Sequence, residues 1–168
     1  MSLAYITHPD CLRHEMGQGH PECPARLRAI EDRLTAAGVF DWLRHIEAPE
    51  APLIALQRAH NALYLAELDA ASPAAGYNHV DPDTYMNPYT LRAARRAAGA
   101  LLRAVDGVIR GDFARAFCAV RPPGHHATRG EAMGFCFYGN AAVGVMHALE
   151  VHGLERVAIM DFDVHHGN

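Results

Sequence analysis

The sequence lacks the features that define several classes of protein. Residues Met1–Asp10 contain neither a basic region nor an apolar run long enough for a signal peptide. No stretch of the chain approaches the roughly 20 apolar residues that would cross a membrane. The four cysteines show no CxxC spacing. We therefore expect reduced thiols in a cytoplasmic protein, without a disulfide framework and without membrane contact.

Basic charge is also scarce. The formal net charge of −4 argues against a nucleic-acid surface, because neutralising phosphates requires clustered Lys and Arg. One basic run occurs at Arg92, Arg95 and Arg96, but it lies in an Ala-rich helical pattern. We interpret it as a solvated helix face rather than a phosphate-binding patch. The sequence predicts no nucleic-acid partner.

What is present is ordinary for a globular protein. A chain of 168 residues is long enough for one domain, here residues 1–168, and gives no reason to expect a second. The 12 histidines are more than this length usually carries. That surplus hints at metal or proton chemistry, which only their positions can decide.

Hydrophobic periodicity predicts an alternation of strands and helices. Strands are predicted at Leu3–Thr7, Ala114–Val120 and Arg156–Met160, and helices from Pro24 to Gly38 and over Arg58–Leu68, Asn87–Ile109 and Asn140–Val151. The last two strands with the helix between them form a βαβ unit, which favours a parallel sheet covered on both faces. Ligands bind beyond the carboxyl ends of such strands, and two polar clusters lie there.

The first cluster follows the strand predicted at Arg156–Met160. If the extended backbone continues, Asp161, Asp163 and His165 point to one side, because residues two apart share a face. Carboxylate and imidazole groups that converge on one point are suitable ligands for Zn²⁺ or Fe²⁺. The alternative is that these acidic residues only cap a following helix. Three ligand-type residues on one face favour the metal site.

The second cluster is the run Pro122-Pro-Gly-His-His126 after the strand predicted at Ala114–Val120. Adjacent histidines point in different directions, so His125 and His126 cannot easily chelate one ion, and each needs its own partner. A histidine pair alone is more often structural than catalytic. Because this pair lies beside a predicted metal cluster, we favour the catalytic interpretation. Gly134-Phe135 lies in the loop after the histidine pair, where an aromatic side chain can line a substrate passage. We prefer this interpretation only weakly over packing in the core.

These elements, in this order, resemble the histone deacetylase family. Within it they are most similar to the class II enzymes and their bacterial amidohydrolase and acetylpolyamine-deacetylase relatives. The matching segments are His20–Leu27, Ala59-His60 with Tyr64-Leu65, Arg121–Ala127, Gly134–Phe137 and Asp161–Asn168. The resemblance implies a three-layer α/β/α arrangement with a mainly parallel sheet, the arginase–deacetylase fold. It also implies that this chain is the incomplete N-terminal portion of one deacetylase domain.

The resemblance implies roles for particular residues. Asp163 and His165 would be zinc ligands, and His126 would be the general base that activates water. His125 would pass a proton to the leaving amine. Asp161 would hold His125 and contribute to a structural K⁺ site, and Asn168 would hold His126. The substrate-binding residues would be Gly134, Phe135 and His20.

The same resemblance implies parts that the matching segments do not supply. The family has a third, aspartate metal ligand and an oxyanion tyrosine, and neither Asp112 nor Tyr138 occupies a matching position. We expect an acetylated lysine or acetylpolyamine substrate for the longer enzyme, and little or no turnover by these residues alone. Two alternatives remain: an inactive metal-binding or acyl-ligand-binding domain, and a two-manganese hydrolase of the arginase fold. Homo-oligomer formation stays open.

Overall fold

The computed structural model describes residues 2–168 of the chain. It contains five strands, two short 3₁₀ helices and five α-helices. The strands are β1 (Leu3–Thr7), β2 (Arg44–Glu47), β3 (Asn78–His79), β4 (Tyr85–Met86) and β5 (Arg115–Cys118). The α-helices are α1 (Ala25–Ala36), α2 (Leu53–Ala59), α3 (Ala62–Ala71), α4 (Thr90–Ile109) and α5 (Asn140–Glu150). The 3₁₀ helices cover Pro9–Leu12 and Phe40–Trp42.

The central sheet is parallel, with strand order β2-β1-β5. Ile6 of β1 lies opposite Ile46 of β2 on one side and Cys118 of β5 on the other. Because all three strands run the same way, their carboxyl ends meet at one edge of the sheet. The segment after β5 therefore emerges at that edge.

Helices cover both faces of the sheet. Ala4 and Ile6 of β1 pack with Ala100 and Ala104 of α4 on one face. Tyr5 points to the other face, where it packs with residues such as Leu27 of α1. This alternation follows from the two-residue period of a strand. The fold is therefore the three-layer α/β/α arrangement that the sequence predicted.

The predicted elements agree with the structure in most places. Helix α4 is long because its alanines favour helix and let it lie close to the sheet, and eleven of its residues are buried. The helix predicted over Arg58–Leu68 is wrong in detail. Two helices, α2 and α3, meet there at His60 and Asn61, and the Asn61 side chain accepts a hydrogen bond from the Tyr64 amide.

The strand predicted at Arg156–Met160 is a second error. Within the described chain, residues 155–168 form no helix or strand, and Ile159 and Met160 are 62% and 87% exposed. The prediction failed because an apolar run indicates burial without showing which strand would pair with it. The backbone after Asp161 also bends, so the extended geometry assumed for Asp161, Asp163 and His165 is not present.

The basic run of α4 is neutralised by neighbouring carboxylates. Arg92 and Arg96 both form ion pairs with Asp10 and Glu50, and Arg95 pairs with Asp69. These pairs support the interpretation as a helix surface rather than a phosphate site. None of the helices in residues 2–168 is both long and apolar enough to cross a bilayer.

Candidate active site

The loop after β5 is anchored by a buried ion pair. Arg121 is fully buried, and its guanidinium donates two hydrogen bonds of 2.6 Å to the two carboxylate oxygens of Glu22. The remaining nitrogen donates to the backbone carbonyls of Cys11 and His14 at 2.7 and 2.9 Å. A guanidinium with this many partners has a fixed position. The pair therefore fixes the start of the segment that carries the two adjacent histidines.

The Glu22 carboxylate stays ionised although it is buried. Burial raises the pKa of this carboxyl, but hydrogen bonds and charges from His14 and Arg121 lower it to about 2. Arg121 is the stronger partner. Nε2 of His14 lies 3.4 Å from the carboxylate, a longer contact than the 2.6 Å hydrogen bonds from Arg121, and burial lowers the pKa of His14, which favours its neutral form.

Two residues from the helical layer hold the segment that precedes α5. The amide of Gly139 donates to Nε2 of His60 at 3.0 Å, and the hydroxyl of Tyr64 donates to the carbonyl of Phe137. Burial lowers the pKa of His60, so its ring stays neutral and Nε2 can accept. His60 and Tyr64 belong to the resemblance segments, and their contacts give them a structural role behind the histidine pair.

His125 is oriented by Asp161. Nδ1 of His125 lies 2.9 Å from Oδ2 of Asp161, and the second oxygen of Asp161 accepts the amide hydrogen of Asp163. These two hydrogen bonds, from the Asp163 amide first and from His125 second, lower the pKa of Asp161. Because an ionised carboxylate can only accept, Nδ1 of His125 carries a proton that points to Asp161.

His126 lies beside its neighbour and is held from two sides. Its ring centroid is 4.0 Å from that of His125, and its Nδ1 lies 3.4 Å from Oδ1 of Asn168. Gly134 covers the other side with a left-handed backbone (φ 55°), and a Cβ there would lie 2.5 Å from Cδ2 of His126. Only glycine leaves this space for the imidazole.

The two predicted metal ligands lie near this pair. Oδ1 of Asp163 accepts the amide hydrogen of His165 and lies 3.5 Å from its ring Nδ1. The ring centroid of His165 is 6.2 Å from that of His126. Two donor atoms at this separation fit as neighbouring ligands of one divalent ion. Within residues 2–168, no third carboxylate or imidazole joins them.

These side chains line a cavity of ≈ 320 Å³. Its walls include the histidine pair, the two predicted metal ligands and the pair Gly134-Phe135, together with Pro21, Glu22, Arg26, Pro123 and Asp83. Phe135 has a positive φ of 69°, and its amide donates to the hydroxyl of Thr84. His20 packs edge-on against the Phe135 ring at 4.7 Å and lies 3.0 Å from the carbonyl of Asp83 through Nε2. All three predicted substrate-binding residues therefore lie together.

A larger open hollow of ≈ 870 Å³ shares Pro123, His125 and Asp163 with this cavity. Its lining is mostly apolar and includes Leu101, Ile159, Phe162 and Val164. Phe162 and Val164 are 94% and 92% exposed. Because the imidazoles and both predicted ligands line the smaller cavity, the smaller cavity is the candidate active site.

Sequence reasoning missed several residues that shape the site. Glu22 was noted only as part of a matching segment, although it holds Arg121. Met133 was not singled out at all, yet its sulfur accepts a hydrogen bond from the Asn168 side-chain amide at 2.8 Å. The separation of Glu22 and Arg121 by 99 positions leaves no local pattern that pairs them.

A group of three metal-ligating side chains lies elsewhere. Donor atoms of Asp106, His147 and His152 all lie within 4.8 Å of one another, on helices α4 and α5 and the turn after α5. None of them was predicted as a ligand. The surplus of histidines was the only signal, because no short motif connects α4 with α5.

Comparison with known proteins agrees with these features. The model of the histone deacetylase domain matches residues 20–168. The histone deacetylase-like amidohydrolase of Pseudomonas aeruginosa is 41% identical over 150 residues, which cover 89% of this chain and 39% of that protein. Polyamine deacetylase HDAC10 of Mus musculus is 37% identical over 182 residues, which cover 99% of this chain and 26% of that protein.

A solved structure shows the same fold. The crystal structure of the HDA15 HD domain superposes with a TM-score of 0.92 at 41% identity, covering 99% of this chain and 48% of that one. The chain spans about half, or less, of the length of the curated relatives it matches. With a matching family model over most of its length and a matching fold, the chain belongs to the histone deacetylase family.

Proposed function

We propose that this chain supplies the histidine pair and two metal ligands to an active site that hydrolyses acetyl amides of lysine or of a polyamine. The observation that carries the proposal is the cavity in which His125, His126, Asp163 and His165 meet. The similarity to an amidohydrolase and to a polyamine deacetylase supports the reaction class. Neither relative decides between the two substrates.

Asp163 and His165 would hold the metal, for which zinc suits the mixed oxygen and nitrogen donors and Fe²⁺ is the alternative. When bound, such an ion supplies Lewis-acid chemistry for amide hydrolysis. A zinc ion at a catalytic site normally has three protein ligands, so a third must join this pair. The family resemblance assigns that ligand, and an oxyanion tyrosine, to segments beyond those matched here.

The protein side chains handle the protons. His126, hydrogen-bonded through Nδ1 to Asn168, presents Nε2 as the base that takes a proton from the attacking water. His125, held by Asp161, keeps its Nδ1 proton and would give a second proton, carried on Nε2, to the leaving amine.

The cavity wall would receive the substrate. Phe135 and Gly134 line the cavity beside His126 and would form one wall of a substrate passage, and the His20 ring packs against Phe135. An extended alkyl chain with an acetamide at its end has the shape for such a passage. Asp161 and nearby backbone carbonyls would in addition hold a structural K⁺ ion.

The remaining proposals concern the whole protein. We propose that residues 1–168 are the N-terminal portion of one deacetylase domain and that the protein is cytoplasmic, in keeping with its four free cysteines. Intact mass of the natural protein tests the first point. A mass of 18.3 kDa, that of these residues alone, would contradict it.

Hydrolysis of a fluorogenic acetyl-lysine substrate and of acetylated polyamines, with and without chelator, tests the function. We expect hydrolysis by the metal-loaded natural protein, its loss on chelation and its return with Zn²⁺. Because only Asp163 and His165 are available as metal ligands among these residues, one alternative is a metal-binding or acyl-ligand-binding domain without turnover. Metal binding without hydrolysis of any acylated amine would support that alternative and contradict the enzyme.

A further inference from the structure

A second group of ligand-type side chains lies away from the histidine pair, where α4 and α5 end. Nε2 of His147 and Nε2 of His152 each lie 2.7 Å from the same oxygen, Oδ1 of Asp106. Asp106 is in the last turn of α4, His147 is in the last turn of α5, and His152 is in the turn that follows. Three separate segments thus bring one donor atom each to a single point.

The geometry of the two rings allows both to serve one ion. Their centroids are 5.2 Å apart with an interplanar angle of 81°, so the rings approach edge to face and do not block each other. All three donor atoms lie within 4.8 Å of one another. Ligands of a tetrahedral ion with bonds of about 2.0–2.1 Å lie roughly 3.3 Å apart, so small side-chain rotations would accommodate one.

The surroundings favour a cation. The carbonyl ends of α4 and α5 both lie at this point, and a helix C-terminus carries partial negative charge. Arg110 is the competing positive group: its Nη2 lies 3.5 Å from the other oxygen of Asp106. That arginine side chain is 63% exposed, whereas Asp106, His147 and His152 are 24%, 13% and 14% exposed. Arg110 can therefore move into solvent.

The cluster is separate from the candidate active site. Helix α5 begins at Asn140, whose side chain donates to the carbonyl of Pro122 beside the histidine pair. At 1.5 Å per residue, His147 lies roughly 10 Å further along the helix axis. An ion at this point would not be the one that Asp163 and His165 are proposed to hold.

We propose that Asp106, His147 and His152 form a second metal site, for a divalent transition ion of the Zn²⁺ type, that ties the end of α4 to the end of α5. One carboxylate and two imidazoles are a donor set that such ions favour over Mg²⁺ or Ca²⁺. Solvent supplies the fourth ligand, because all three side chains are partly exposed. The site stabilises the packing of two helices and takes no part in the proposed hydrolysis.

The test uses the protein with Asp163→Asn and His165→Ala, which removes the proposed catalytic ligands. After chelator treatment, Co²⁺ alone is added, and its visible absorption, its stoichiometry and the shift in Tm are measured. We expect one ion per chain, the intense visible bands of a four- or five-coordinate Co²⁺ site and a higher Tm. Competition by Zn²⁺ should abolish the bands.

Further variants are made in that same background. Asp106→Asn and His152→Ala should each weaken Co²⁺ binding by more than about 100-fold, since loss of even an outer partner of a metal ligand costs about 10–100-fold. His79→Ala removes an exposed histidine of β3 and should change nothing. Far-UV circular dichroism establishes that each variant is folded. A folded protein that binds no Co²⁺, or binding that survives both ligand changes, would show a hydrogen-bonded network only and overturn the proposal.

Discussion

Arg121 and Glu22 form a buried, two-bonded ion pair that joins the end of the sheet to the segment before α1. Nε and Nη2 of Arg121 donate hydrogen bonds of 2.6 Å to Oε1 and Oε2 of Glu22. The side chain of Arg121 is 0% exposed and that of Glu22 is 2% exposed. The histidine pair begins four residues after Arg121. The position of the proposed base and its neighbour therefore depends on a carboxylate that is far away in sequence.

Replacing Glu22 by Gln should lower the free energy of unfolding by about 3–5 kcal/mol, because it leaves the buried guanidinium of Arg121 without a counter-charge. Urea denaturation measures the change. The matched control is Glu15→Gln at an exposed carboxylate, which should stay within about 0.5 kcal/mol of the parent. Equal effects of the two substitutions would contradict the importance of the pair.

Stability should fall in two steps as the solution is acidified. The pKa values of His14 and His60 are lowered from 6.5 by burial, so below that pH protons bind preferentially to the unfolded chain. The pKa of Glu22 is about 2, against an ordinary value of 4.5, so its contribution is complete above pH 4.5 and is lost between pH 4.5 and about 2.

Thermal unfolding across this pH range measures both steps. The lower step should shrink in the Glu22→Gln protein, because that side chain no longer titrates, whereas the decline below pH 6.5 should remain. A lower step of unchanged size in that variant would assign it to other carboxylates.

Gly134→Ala should disturb His126 as well as the backbone. A left-handed backbone costs any L-residue about 1–2 kcal/mol, and here the new methyl group would also lie 2.5 Å from Cδ2 of His126. Gly76→Ala is the matched control, since Gly76 has a similar φ of 68° with open space around it. We expect a larger loss of unfolding free energy for Gly134→Ala, and a shifted imidazole NMR signal of His126 only in that variant. Identical behaviour of the two alanine variants would count against the contact.

Asp161→Asn and Asp163→Asn should separate positioning from metal binding. In the natural protein, the proposed mechanism predicts that Asp161→Asn lowers kcat about 10²- to 10⁴-fold, the range of a general acid–base contribution, because His125 loses its charged partner. The Asp161→Asn protein should keep its zinc content. Asp163→Asn should lose zinc as well as activity. Hydrolysis assays and metal analysis on the same samples measure both effects, and joint loss of zinc in the two variants would refute the separation.

The sequence predicted the architecture well where a local pattern was sufficient. The period of strand β1 and the alanine pattern of α4 indicated which faces are buried, and the polar residues after β5 indicated the functional edge. The pairing of His125 with Asp161 and of His126 with Asn168 came from the family resemblance, and the structure places each pair within 2.9 and 3.4 Å. The break at His60 and the absence of a strand at residues 156–160 were not predicted. Hydrophobic periodicity does not register the Asn61 cap, and an apolar run does not show which strand would pair with it.

The sequence by itself determined the order of elements, the family and the residue types that can carry the chemistry, since these depend on periodicity and on short motifs. Only the tertiary structure decided how distant residues meet. Glu22 reaches Arg121 across 99 positions, and Asp106 reaches His147 and His152 across 41 and 46 positions. Hydrogen bonds and ligand sets act over about 3 Å in space, whatever the separation along the chain. A linear pattern cannot record such contacts until the chain is folded.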